Sequence, residues 1–157
     1  MNQFNHRLTE AAHAALGDEV RIVLGEGPLS PVLMLIGEAP GEQEERQGRP
    51  FVGKAGGILN DLLLAVHLNR DEIYITNVVK RRPARVSPSG NLVNRPPDRK
   101  ELQIFTPWLL REIELVRPRY IVTLGNVPLK ALLGQKVTVG EAHGRLIEWN
   151  SRKIYPL

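Results

Sequence analysis

The chain has 157 residues, 42% of them apolar and 24% charged, with a formal net charge of +4. That length suits one domain with a sizeable core, and residues 1–157 are read as a single unit. No apolar run is long enough to cross a bilayer, and Met1–His6 lacks the basic-then-apolar pattern of a signal peptide. Zero cysteines exclude disulfides and thiolate-held metal or iron–sulfur clusters. The expectation is a cytoplasmic monomer with no membrane contact, no metal and no cofactor.

The first predicted element is a helix over residues 5–16, where alanines and a leucine recur at helical spacing. Residues 20–24 alternate as a short strand. Val32-Leu33-Met34-Leu35-Ile36 is apolar on both faces, as in a central parallel strand. Two Gly/Pro-rich blocks follow, Gly37-Glu38-Ala39-Pro40-Gly41-Glu42 and Gly48-Arg49-Pro50-Phe51-Val52-Gly53. In residues 53–68, Ile58, Leu59, Leu62, Leu63 and Val66 recur with helical period. Residues 73–79 read as a second strand, and residues 83–97 as a long basic loop.

Residues 98–116 predict a long helix capped by Asp98, with Glu101 three residues on. Pro107 is expected to kink or divide it. Residues 120–125 form another apolar strand, and Asn126 is expected to cap the short helix that follows. Residues 145–149 and 153–157 predict two strands joined at Asn150-Ser151. Strands alternating with helices argue for an α/β fold: a three-layer α/β/α sandwich around a central, mostly parallel sheet of about four strands.

A carboxylate directly after a central strand, in a loop that exposes its backbone, could orient a water or stabilise a developing cation, and Glu38 has that place. A tight turn with solvated acids is the alternative. Phe51 could plug the sheet edge or offer its face to a planar ring. Asn77, at the end of a buried strand, could satisfy itself locally or present a donor and an acceptor to a base edge. From Lys80 to Lys100 the basic residues are Lys80, Arg81, Arg82, Arg85, Arg95, Arg99 and Lys100, against the single acid Asp98. That stretch is either a solvated loop or a phosphate-contacting surface.

Taken together, Gly37–Glu42, Gly48–Gly56, Ile75-Thr76-Asn77-Val78-Val79-Lys80 and Arg82-Pro83 resemble the uracil-DNA glycosylase superfamily, in its family-four-like branch. Asn94-Arg95-Pro96-Pro97, Ile113–Pro118 and Thr123-Leu124-Gly125 are weaker matches, and the resemblance runs in order along nearly the whole chain. It implies excision of uracil from single- or double-stranded DNA. Glu38 and Glu44 would hold or polarise the attacking water with help from the Ala39 backbone. Phe51 would stack on the extruded uracil, and Asn77 would read its O4/N3 edge. Asn94 is a further catalytic candidate, and Lys80, Arg81, Arg82, Arg85 and Arg95 would contact DNA.

The chain departs from this pattern twice. The family-four branch carries cysteines that hold an iron–sulfur cluster, whereas Arg81 and Phe105 occupy the places of two of them here. A His-Pro-Ser/Ala motif is expected after the last strand, but the sequence reaches Pro156-Leu157 there, so C-terminal truncation is the expected explanation. Loss of that histidine would remove one donor to the leaving base, an effect of order 10²–10³ in rate. The alternatives are a catalytically silent DNA damage-recognition module and a glycosylase for another deaminated base such as hypoxanthine.

Overall fold

A computed structural model describes the whole chain, Met1–Leu157. Successive side chains of a strand point to opposite faces. Strand β1 (Leu33–Gly37) therefore sends Met34 and Ile36 into one apolar layer and Leu35 into the other. β1 pairs in parallel with β2 (Tyr74–Asn77) on one side and with β5 (Tyr120–Thr123) on the other. β7 (Arg152–Pro156) joins β5 in parallel, and β6 (Ile147–Trp149) closes the edge antiparallel to β7.

The sheet thus has five strands in the order β2-β1-β5-β7-β6, one more than the approximate expectation. Helices α1 (Asn2–Leu16), α4 (Arg99–Val116) and α5 (Asn126–Leu133) cover one face, burying Phe4, Leu8, Phe105, Leu109, Ile113 and Leu132. On the other face, α3 (Lys54–Ala65) packs Leu59 and Leu63 on Leu35, Ile73 and Ile75. Ile58, Leu62 and Val66 of the predicted stripe are instead more than half exposed. The smaller elements are α2 (Glu42–Gln47), a 3₁₀ turn (Arg70–Glu72) and α6 (Val139–Ala142). No helix is long and apolar enough to cross a membrane.

Several local expectations are corrected. Residues 20–24 form no strand. Val23 N donates to Lys80 O at 2.7 Å, and the chain just beyond meets the outer edge of β2 at a single antiparallel bridge between Glu26 and Ile75, where Gly25, Gly27 and Pro28 interrupt regular pairing. Pro107 neither divides nor ends α4, which is one helix of 18 residues. The carbonyl that Pro107 leaves without a donor belongs to exposed Gln103, where water can satisfy it. Gly125, not Asn126, is the N-cap of α5, and the Asn126 side chain accepts from Val139 N at 2.8 Å at the start of α6.

The basic loop also has structure. Ala84–Val86 (β3) and Leu92–Asn94 (β4) form an antiparallel ribbon outside the main sheet. Asp98 and Glu101 make the expected reciprocal cap of α4, at 2.8 and 2.9 Å.

Candidate active site

Parallel pairing sets the carboxyl ends of β1 and β2 level, with Gly37 opposite Asn77. Beyond the strands, Val78 N donates to Gly37 O at 2.9 Å and Val79 N to Glu38 O at 3.1 Å, which pins the loop leaving β1. The backbone N–H groups of Glu38 and Ala39 meet no protein acceptor. Asn77 is 4% exposed. Its side-chain amide has no protein partner, yet it is not sealed from solvent, since the only sealed, unpaired side-chain atoms are Arg70 Nε and Thr123 Oγ1. A buried amide normally finds partners. Gly37 separates this amide from Phe51: a Cβ at Gly37 would overlap both Asn77 Oδ1 and Phe51 Cζ.

Phe51 holds a left-handed backbone conformation, φ 52°, that a bulky residue adopts only when its surroundings impose it. Three contacts do so. Arg70 donates to Pro50 O at 2.5 Å and to Phe51 O at 2.7 Å. Gly56 lets the Phe51 carbonyl lie against α3, where any Cβ would collide with it. Glu44 accepts from Val52 N at 2.9 Å and Gly53 N at 2.5 Å, and with its other oxygen from Gly41 N at 3.0 Å. The ring also packs against the small core cluster formed by Leu35, Leu59, Leu63, Ile73 and Ile75, so it is both a plug and a platform.

The water-holding role expected of Glu44 is therefore not the one its geometry supports. Both carboxylate oxygens are engaged by backbone donors, and the side chain staples the two glycine-rich loops together. Glu44→Ala leaves those three N–H groups without their partner. It is expected to lower stability by about 1–3 kcal/mol and to speed amide exchange at Gly41, Val52 and Gly53, read by thermal unfolding and hydrogen exchange. Glu38 stands differently. Its side chain reaches solvent, but partial burial in the loop holds its carboxyl above the ordinary glutamate value.

Asn94 ends β4 and comes up beside the same loop, its Nδ2 lying 3.5 Å from where a Gly41 Cβ would sit. Arg82 orients it by donating from Nε to Asn94 Oδ1 at 2.7 Å. The site thus brings together Glu38, Ala39, Phe51, Asn77 and Asn94. A surface cavity of about 560 Å³ between α1 and α4, lined by Phe4 and Trp108, touches none of them.

Most of the basic stretch is internal strutting. Lys80 is corrected outright: it is fully buried, and its ammonium donates to Thr76 Oγ1 at 2.6 Å, Asn77 O at 2.5 Å and Glu112 Oε2 at 2.7 Å. Burial pulls that ammonium below the ordinary lysine value, partly offset by the Glu112 carboxylate. Tyr74 donates to the other Glu112 oxygen at 2.9 Å, and burial, then this carboxylate, raises its phenol. Arg95 is paired in bidentate fashion with Glu101, at 2.6 and 3.2 Å, and Arg81 meets the same carboxylate at 3.3 Å. Arg82 is buried on Asn94, and only Arg85 of the five expected contacts is exposed to solvent.

Sequence reasoning passed over Arg70, Glu112 and the roles of Gly37 and Gly56. Glu112 left a signal, because it lies on the apolar stripe Phe105, Leu109, Ile113 and Val116 of α4 and so needed a buried partner. Arg70 left none, since its partners, the Pro50 and Phe51 carbonyls and the Asn60 and Glu26 side chains, are all remote in sequence.

An iron–sulfur cluster does not fit these residues. No cysteine is present, Arg81 is ion-paired to Glu101, Phe105 is fully buried in the core, and no His/Cys/Asp/Glu group has metal-binding geometry.

The sequence model of the uracil DNA glycosylase superfamily matches residues 24–157. A type-4 uracil-DNA glycosylase of Thermotoga maritima is 38% identical over 141 residues, covering 88% of this chain and 69% of that protein. A second, from Pyrobaculum aerophilum, is 41% identical over 111 residues, 71% of this chain and 53% of that one. A third, from Saccharolobus solfataricus, is 38% identical over 133 residues, 82% and 58% of the two chains. The chain thus spans between about half and about two thirds of the length of these relatives. With Asn77, Phe51 and Glu38 gathered on matched sequence, the chain belongs to the uracil-DNA glycosylase superfamily.

Proposed function

We propose that the protein takes deoxyuridine out of the base stack of DNA and hydrolyses its N-glycosidic bond, leaving an abasic site. The observation that carries this reading is the Asn77 amide, 4% exposed, without a protein partner, and facing the Phe51 ring across Gly37. A pyrimidine laid on Phe51 meets one donor and one acceptor at Asn77. Nδ2 donates to uracil O4 and Oδ1 accepts from N3–H, whereas cytosine presents the inverted pattern. The names of the similar proteins support the same substrate.

The chemistry asks little more of the site. As the N1–C1′ bond breaks, its electron pair leaves with uracil N1, and positive charge develops on the sugar. Water adds to C1′ and its proton passes to the Glu38 carboxylate, while the free N–H groups of Glu38 and Ala39 and the Asn94 amide orient the reacting atoms. Exposed Arg85, Arg99 and Lys100 offer contacts to phosphate, which makes binding salt-dependent.

Glu38 must be ionised to accept that proton. Because its carboxyl is raised, activity falls as pH drops through a value above the ordinary glutamate range. Glu38→Gln is expected to lower kcat by about 10²–10⁴ and to abolish that acid limb in a pH–rate profile. The same substitution should make the fold slightly more stable at neutral pH. A raised carboxyl costs stability above the unfolded-state value, and glutamine removes the charge.

The direct test is incubation with a single-stranded oligonucleotide carrying one deoxyuridine, with free uracil and alkali-labile sites measured together. Stoichiometric release is expected. Tight binding without release marks a silent recognition module, and release from hypoxanthine but not uracil marks a different base; either result overturns the proposal.

A further inference from the structure

The β3–β4 ribbon is not used by the reading above, and its exposed side chains are unusual. Val86 and Leu92 are 66% and 60% exposed, and they are a directly opposed cross-strand pair at the outer end of the ribbon. An exposed apolar pair of this kind on a projecting ribbon has no partner within the chain.

Its placement is informative. Side chains alternate along a strand, so Val86 lies on the same face as Ala84, and Leu92 on the same face as Asn94. Asn94 is the residue that this face brings to the Gly41 loop. The Val86–Leu92 pair therefore continues the site outward from Asn94 by two residues, about 7 Å or roughly two base steps.

The ribbon is also held firmly. Arg95 N donates to Pro83 O and Arg95 Nε to Ala84 O, each at 3.1 Å, while Glu101 grips the guanidinium tip. Arg82 reaches Leu92 O at 3.5 Å, and the turn is closed by Ser87 N to Asn91 O at 2.7 Å. Exposed Arg85 lies on the opposite face, with exposed Arg99 and Lys100 at the start of α4. An apolar tip beside exposed Arg85, on a ribbon anchored next to the cationic start of α4, matches a polyanion with apolar faces within it, which describes the base stack of DNA.

We infer that the β3–β4 ribbon is a duplex-DNA probe in which Val86 and Leu92 pack into the base stack beside the extruded nucleotide. Taking a base out of a duplex costs more than taking it from a single strand, and apolar side chains inserted at a base step are a general means of holding the opened stack. The inference rests on the glycosylase reading for the identity of the extruded base, but not for the contact itself.

Two measurements test it on the full chain, with Val86→Ser/Leu92→Ser as the variant; both positions are exposed, and an unchanged melting temperature verifies folding. The first is uracil release from matched duplex and single-stranded oligonucleotides. The variant is expected to lower the duplex-to-single-strand ratio of kcat/KM by about tenfold, equivalent to about 1.4 kcal/mol. An unchanged ratio overturns the inference.

The second measurement needs no turnover. A duplex with 2-aminopurine next to the uracil is titrated with protein, and the fluorescence rise that reports unstacking is expected for the parent chain and lost in the variant. If the parent chain releases no uracil but gives this rise, the glycosylase reading fails while the probe stands. Equal fluorescence for parent and variant, as expected if the ribbon serves a protein partner, overturns it.

Discussion

Lys80→Met is expected to destabilise the fold by about 3–5 kcal/mol, because it strands the Glu112 carboxylate in the core without its counter-ion. Lys80 is fully buried, Glu112 is 1% exposed, and the pair ties the segment just after β2 to the last third of α4. The ammonium makes three hydrogen bonds, so nothing else can take its place without rearrangement. Removing both charges should hurt far less. Lys80→Met/Glu112→Gln keeps an acceptor for the Tyr74 hydroxyl and leaves no buried ion, so urea unfolding should show recovery of most of the loss. Equal destabilisation in the single and double variants would contradict the account of the pair.

The second large effect concerns function. Gly37→Ala is expected to lower kcat/KM for uracil release about 100-fold, the scale of a small misplacement in a reacting site. Gly37 is in an extended strand, so alanine suits its backbone, but the new methyl occupies the space between Asn77 Oδ1 and Phe51 Cζ. One of the two must move, and the amide and the ring no longer present themselves to the same pyrimidine. Overpacking also costs about 1–3 kcal/mol, so urea unfolding should accompany the kinetics. Gly57→Ala is the control. A Cβ there meets nothing within 4 Å, and helix propensity should make the change neutral or slightly stabilising. Matching activity losses in the two variants would refute the argument from the Gly37 contacts.

How far the chain could be read in advance depended on whether the determinants were local. β1 announced itself through an unbroken apolar run, and the α4 cap through Asp98 and Glu101, because each depends on neighbours in sequence. The Gly37–Glu42 loop, Phe51 and Asn77 were legible as residues of interest, and the parallel register that sets Gly37 against Asn77 is what joins them. Charge read less well. A run of lysine and arginine looks the same whether it faces phosphate or an internal carboxylate, and Glu101 and Glu112 lie on the helix that starts only at the end of the basic run. Glu44 misled for a similar reason, since its partners are backbone N–H groups that no residue type discloses.

The β3–β4 ribbon was hidden by composition. Proline, serine and glycine around residues 87–90 suggested an irregular loop, yet Gly90, at φ 86°, helps close the turn of a hairpin. Pro107 shows the converse, a strong local breaker overridden because its ring and the carbonyl it orphans lie on the solvent side of α4.

The central claim is that Asn77 reads a uracil stacked on Phe51. It is tested most directly by measuring free base released from otherwise identical oligonucleotides carrying one deoxyuridine or one deoxycytidine, with the parent chain and with Asn77→Ala. The account predicts release of uracil and not of cytosine by the parent chain, and loss of uracil release in a variant that still folds and still binds DNA. Uracil release that survives Asn77→Ala, or a folded parent chain that releases none, would contradict it.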